Sequence, residues 1–365
     1  MASPKVLILT PDFPPEPGGI QLLIHRLAAT MSRLDSLVVA PRTDGAEEFD
    51  RASSVPVHRV PPPPGGHRAA IAALNLAAIG VARRFRPDVV LSAHIVTSPA
   101  AAALKRGSGV AVVQYLLAKE AVTRPRLARF AIAQSDATIA ISRHTRELAT
   151  RFGAETASLH VIPPGVDLPE RRVRQRLERP TLITVSRLEE RYKGHDTVIH
   201  ALPLIRARVD RVQWVVIGDG SLRRPLERLA ETYGVESSIR FLGAVDNDER
   251  DDWLEQSHVF TMPSRVPGDG LGGEGFGIVY LEANWHELPV VAGAAGGALD
   301  AVADGESGLL VDPDDPVALT DALSKLLLDP ELRQALGTQG AERARHFSWS
   351  IMTERVEDAL LGVVR

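Results

Sequence analysis

Two carboxylates stand eight positions apart in Glu274-Gly275-Phe276-Gly277-Ile278-Val279-Tyr280-Leu281-Glu282. In a continuous helix they would project within about 80° of each other. Glycines at 275 and 277 argue instead for a helix that starts near residue 277, with Glu274 in the preceding loop and Glu282 on the helix. The free N–H groups of Gly275, Phe276, Gly277 and Ile278 then point at a place for an anion, where the helix dipole favours negative charge. A second group is Ser186-Arg187-Leu188 with Lys193-Gly194-His195-Asp196. One Arg and one Lys on a strand-to-helix connection supply the fixed positive charge that clamps a diphosphate, and both are expected on an exposed loop. The third is the loop Phe13-Pro14-Pro15-Glu16-Pro17-Gly18-Gly19-Ile20, where Gly18 and Gly19 let the backbone approach a phosphate at a helix N-terminus. It matches neither G-x-G-x-x-G nor a Walker loop, and a plain tight turn is its alternative reading.

Metal chemistry finds less support. Asp246-Asn247-Asp248 has the D-x-D form, but it precedes a helical run from Glu249, where Asp and Asn serve as N-caps. Asp312, Asp314 and Asp315 read as turn residues. The 11 histidines show no ligand spacing, and there is no cysteine. No metal and no cofactor are expected.

The elements that must carry these loops alternate along the chain. Apolar runs at 6–9, 37–40, 57–60, 89–91, 110–115 and 137–140 read as buried strands, separated by helical patterns such as 68–85. A second series follows at 181–185, 213–217, 240–242, 259–262, 289–291 and 308–311. Strand, helix, strand in succession is the mark of parallel βαβ units, so the chain is α/β, with two Rossmann-like domains facing each other across a deep cleft. Expected boundaries are 1–167 and 168–347, with a C-terminal helix at 348–365 packing back across the joint. The arginine-rich stretch 170–179 reads as an exposed linker. At 365 residues the chain suits two cores rather than one.

Charge is uneven: residues 1–167 carry a balance of +6 and the remainder −10. The first domain therefore suits an anionic partner, such as a phosphorylated or lipid-linked acceptor or a membrane surface touched peripherally, unless the asymmetry is an accident of an arginine-rich composition. Nucleic acid is excluded as a partner by the absence of a long basic run and by aromatics at 5%. The apolar run at 6–9 is too short for a signal peptide, and the Ala-rich stretch 69–82 is too short to span a bilayer, so a cytoplasmic location is expected.

The Glu-to-Glu segment EGFGIVYLE resembles the signature of the retaining GT-B glycosyltransferases of sequence family four. FPPEPGGIQ, RPDVV, ISRHT, IPPGVD, SRL with KGHD, VIGDG, FLG, MPSR and PVVAG with GGALDAV follow in family order, so the resemblance covers essentially the whole chain. Within the family it is most similar to actinobacterial phosphatidylinositol mannoside mannosyltransferases. The resemblance implies transfer of a hexose, of mannose or glucose/GlcNAc type, from a GDP- or UDP-linked sugar to an acceptor hydroxyl, with retention at the anomeric carbon. It implies that Gly18 and Gly19 meet the donor's distal phosphate and that Arg187 and Lys193 bind the diphosphate. It further gives Glu274 the transferred sugar, Glu282 the ribose hydroxyls, the amides of Gly275, Phe276, Gly277 and Ile278 the sugar and phosphate, and the backbone of Gly243 to Val245 the base. An epimerase or hydrolase on the same fold, or a catalytically silent binding partner, are the competing readings.

One position departs from the pattern. Family members carry a histidine in the loop after the 110–115 strand, whereas this chain reads Leu117-Ala118-Lys119-Glu120. Lys119 would stand in its place, a permanent cation favouring the diphosphate leaving group, or would lie on the outer rim of the cleft with its head in solvent. Glu120 is the companion test: if it stands N-terminal to a helix and turned away from the cleft, its removal should change stability slightly and chemistry not at all.

Overall fold

A strand with helices on both faces of its sheet must be apolar on both sides, which is why Val6, Leu7, Ile8 and Leu9 form an unbroken run, every one fully buried. The computed structural model describes residues 3–171, 175–268, 270 and 272–364. They divide into two compact units, one comprising residues 1–165 with 349–365, the other residues 166–348.

In the first unit seven parallel strands, β1 (Lys5–Leu9), β2 (Asp35–Pro41), β3 (Val57–Val60), β4 (Val89–Ser92), β5 (Ala111–Leu116), β6 (Ala137–Ala140) and β7 (Leu159–Val161), form one sheet. Their order is β3-β2-β1-β4-β5-β6-β7. Chain direction across the sheet reverses between β1 and β4, and open α/β sheets take ligands at that switch point, beyond the carboxyl ends of the strands. Leu7, Leu9 and Val90 of the sheet pack with Leu74 and Ala78 of the helix Gly66–Phe85. The helix Trp349–Leu361 also belongs here. Its buried Glu357 accepts hydrogen bonds from the amides of Ser32 (2.9 Å) and Arg33 (2.7 Å), which satisfies two donors just past the end of helix Gly19–Thr30.

The second unit repeats the design with six parallel strands: β8 (Thr181–Val185), β9 (Gln213–Ile217), β10 (Ile239–Gly243), β11 (Val259–Met262), β12 (Val290–Gly293) and β13 (Gly308–Val311). The order is β10-β9-β8-β11-β12-β13, with its switch point between β8 and β11. Trp214 is the largest fully buried side chain; its indole N–H donates to Thr184 Oγ1 at 3.0 Å, so the polar edge is satisfied inside an apolar core.

Two expectations change. β7 was not anticipated: it is three residues long at the sheet edge and includes the exposed His160, too little apolar pattern to register. The stretch 170–179 is not a free linker. Arg172 and Arg174 lie outside the described residues, but Arg171 Nη1 pairs with Glu287 at 2.6 Å and the half-buried Arg176 donates to backbone carbonyls of Glu255 (2.9 Å) and Glu287 (3.1 Å), among others. Arg176 thus collects carbonyls from the ends of two helices. Arg176→Ala is expected to lower the unfolding free energy of this unit by about 3 kcal/mol, given what hydrogen bonds to a charged group contribute. Arg176→Lys should recover little, because one ammonium does not span the same acceptors. A urea titration checks both, and a parent-like midpoint for the alanine variant would refute the role.

Candidate active site

The carboxyl edge of the second sheet brings together the two sequence groups flanking its switch point. After β8 the chain makes a short 3-10 turn, Arg191–Lys193, and passes through Gly194 into helix His195–Arg206. Gly194 has φ of 77°, and a Cβ there would collide with the carbonyl of Pro263 after β11. Glycine at this place lets the two loops touch. The Arg265 amide also donates to the Tyr192 carbonyl at 2.8 Å, tying the β11 loop to the β8 loop.

Across that contact Lys193 Nζ meets Glu274 Oε2 at 2.8 Å. Both side chains are mostly buried, at 13% and 15% exposure, so Lys193 does not lie on an exposed loop as its sequence suggests. Arg187 does: it is 65% exposed and held at 3.3 Å by the buried Glu190. Next to Lys193, His195 accepts or donates at 2.9 Å with Ser186 Oγ, and burial, with the Lys193 charge beside it, lowers its pKa to about 4. It is a neutral structural imidazole.

Glu274 lies in a loop and the helix Ile278–Trp285 begins after Gly277, whose φ of 89° and close approach to the Tyr280 ring exclude a side chain. The Glu274 carbonyl accepts from the Gly297 amide at 2.8 Å, and Tyr280 Oη donates to the Met262 carbonyl at 2.9 Å, which fixes the helix start against β11. Phe276 is buried, while Gly275 and Ile278 are partly accessible. One turn on, Glu282 sits 3.8 Å from Arg250 Nη1. Burial pushes its carboxyl above the ordinary range, the Arg250 charge works against that, and Asp167 and Asp251 add to it. Gly243 closes β10 by accepting from the Gly218 amide at 2.8 Å, and the half-buried Val245 follows. Asp246 caps the next helix, its Oδ1 accepting from the Glu249 amide at 2.8 Å.

The sequence reading missed Arg250. Its partnership with Glu282 joins two helices distant in the chain, and no local spacing announces such a pair.

In the first unit, Gly18 caps helix Gly19–Thr30 and Gly19 is exposed on its first turn. Lys119 is exposed on helix Ala118–Thr123. Glu120 does not turn outward: it is 6% exposed. Its Oε1 accepts from the Leu117 amide at 3.1 Å; its Oε2 accepts from the Ile95 amide at 3.0 Å and lies 3.0 Å from His94 Nδ1. The side chain turns inward because two backbone N–H groups and an imidazole converge on it. His94, just after β4, was not singled out in the sequence, where it is a lone histidine in an Ala/Ser context.

Among the described residues no helix is long and apolar enough to cross a membrane. The chain matches the family model described as "Glycosyl transferases group 1" over residues 169–343 and the model "Glycosyltransferase Family 4" over residues 17–170. It is 34% identical to the GDP-mannose-dependent alpha-(1-6)-phosphatidylinositol monomannoside mannosyltransferase of Mycobacterium tuberculosis, covering 98% of each chain. It is 32% identical to the GDP-mannose-dependent monoacylated alpha-(1-6)-phosphatidylinositol monomannoside mannosyltransferase of Corynebacterium glutamicum, again over 98% of each. Among solved structures, Anabaena HepE in complex with UDP and glucose superposes with a TM-score of 0.80 at 19% identity, over 98% of this chain and 99% of that one. Sucrose-phosphate synthase from Thermosynechococcus elongatus gives the same TM-score and identity over 98% of each chain. With two Rossmann-like units of the GT-B type and matching models over both, the chain belongs to the group 1, family 4 glycosyltransferases and is a hexosyltransferase.

Proposed function

We propose that this enzyme transfers mannose from GDP-mannose to a phosphatidylinositol mannoside, with retention at the anomeric carbon. The observation that carries the reading is the Lys193–Glu274 pair at the second sheet's switch point, beside the start of helix Ile278–Trp285. A cation and a helix N-terminus there offer fixed positive potential where a departing diphosphate gathers negative charge. Lys193 and Arg187 take the diphosphate oxygens. Glu274, held by Lys193, accepts hydrogen bonds from hydroxyls of the transferred sugar, and the amides of Gly275 to Ile278 complete that cradle. Glu282, anchored by Arg250, takes the ribose hydroxyls, and the Gly243–Val245 backbone meets the base. The choice of mannose, guanosine and a phosphatidylinositol acceptor rests on the curated relatives, which match the chain from end to end. The excess of positive charge in residues 1–167 suits peripheral contact with an anionic lipid surface.

Incubation with GDP-mannose or UDP-glucose, each with and without phosphatidylinositol monomannoside in vesicles, tests the reading. Mannolipid formation with GDP release only when both partners are present is expected, unchanged by a chelator. Transfer from UDP-glucose alone would overturn the donor assignment, and loss of turnover restored by magnesium would overturn the charge-clamp chemistry.

A further inference from the structure

Arg265, the last residue of Met262-Pro263-Ser264-Arg265 at the end of β11, grips the Lys193 turn on both sides. Before Lys193, its amide donates to the Tyr192 carbonyl at 2.8 Å and its Nη2 to the Arg191 carbonyl at 3.2 Å. Beyond Lys193, the same guanidinium reaches the first turn of helix His195–Arg206. There Nη2 donates to Asp196 Oδ2 at 2.6 Å and Nη1 to Thr197 Oγ1 at 3.2 Å. The Thr197 hydroxyl in turn donates to the Pro313 carbonyl at 3.0 Å, which leaves its lone pairs turned to Arg265. Asp314 adds a second carboxylate, 3.6 Å from Nη1.

The turn itself is weakly closed. The Lys193 amide reaches the Glu190 carbonyl, and the Gly194 amide the Arg191 carbonyl, at 3.3 Å each, beyond the usual range for an N–H···O bond. Such a turn takes its place from what surrounds it, and the β11 segment surrounds it: Gly194 lies against the Pro263 carbonyl, while Arg265 takes the carbonyls of Arg191 and Tyr192. The same segment fixes the other half of the Lys193–Glu274 pair. Tyr280 Oη, on the helix that follows Glu274, lies 2.8 Å from Ser264 Oγ and 2.9 Å from the Met262 carbonyl. Lysine carries a compact charge on a flexible stem, so the place of its ammonium depends on how firmly its backbone is held.

Resting on the reading that Lys193 takes the diphosphate oxygens, we propose that Arg265 is a positioning residue of the donor site. By fixing the turn before and after Lys193, it sets where the ammonium meets the diphosphate, without touching the donor itself. Displacing such a charge by about 1 Å is enough to cost about 100-fold in turnover.

Calorimetric titration of the full chain with GDP and with guanosine tests the assignment, since guanosine carries the base and the ribose but no phosphate. Arg265→Met keeps the backbone tie and the apolar stem. It is expected to weaken GDP binding about 10-fold and to leave guanosine binding at the parent's value. In a chain that already carries Lys193→Ala, the same change should alter GDP binding by less than about 2-fold, because the residue through which it acts is gone. Asp196→Asn removes only the charged acceptor and should weaken GDP binding about 3-fold, again without effect on guanosine, which keeps the test alive if Arg265→Met folds poorly. Equal losses for GDP and guanosine mark Arg265 as a structural staple only, and an undiminished loss in the absence of Lys193 marks it as a direct phosphate ligand. Either result overturns the proposal, as does parent-like GDP binding in Arg265→Met. If Lys193→Ala alone leaves GDP binding unchanged, the diphosphate reading has failed and the proposal with it, a distinct result.

Discussion

Lys193→Ala is expected to lower turnover about 100-fold or more and, at the same time, to cost measurable stability. The first effect is the size seen when a preorganised charge partner of a transition state is removed. The second follows from the contact on the protein side. Lys193 and Glu274 are 2.8 Å apart and mostly withdrawn from water, so removing the ammonium leaves a carboxylate with its partner gone. Arg187→Ala separates the two effects. Its guanidinium is 65% exposed, so its loss should depress turnover to a similar degree while leaving the melting temperature near the parent's. Steady-state kinetics beside a thermal melt decides the matter. Parent-like turnover in either variant removes that residue from the mechanism.

Glu120→Ala should strongly destabilise the first unit, costing about 3–5 kcal/mol. It strips the acceptor from the amides of Leu117 and Ile95 in a place water does not reach and leaves His94 without its carboxylate. Glu120→Gln keeps the shape and one acceptor oxygen, so it should cost markedly less. Denaturant unfolding reports the difference, and an alanine variant within about 0.5 kcal/mol of the parent would show that the convergence on Glu120 contributes nothing.

Strand positions were legible because strands buried on both faces have a local signature. Residues 6–9 or 89–91 could be read from a handful of consecutive apolar residues without knowing their neighbours. Leu159–Val161 lacks that signature, since an edge strand with an exposed centre looks like any loop. The loops flanking the second sheet's switch point were legible for a similar reason: Gly275, Gly277, Lys193 and Gly194 mark loops by type and spacing. What escaped were pairings made only by the fold. Arg250 with Glu282, Arg176 with the carbonyls of Glu255 and Glu287, and Glu120 with His94 each join segments that no local pattern connects. Glu120 shows the difficulty well. A glutamate three residues into a helix is an ordinary cap in sequence, and only the arrival of Ile95 and His94 from the β4 loop makes it a buried anchor.

The helix Trp349–Leu361 belongs to the first unit although the whole of the second lies between it and the rest of that unit. Val166 and Ser348, where the chain leaves and returns, are bridged to each other, so the second unit begins and ends at one place. During synthesis, therefore, the seven-stranded unit is started first and completed last. Until residues 349–361 emerge, the amides of Ser32 and Arg33 lack Glu357, and Leu23, Leu27 and Tyr115 lack the cover of Trp349, Met352 and Val356. The second unit, continuous in sequence, has no such wait. On the ribosome it can close its core while its elder neighbour is still held open.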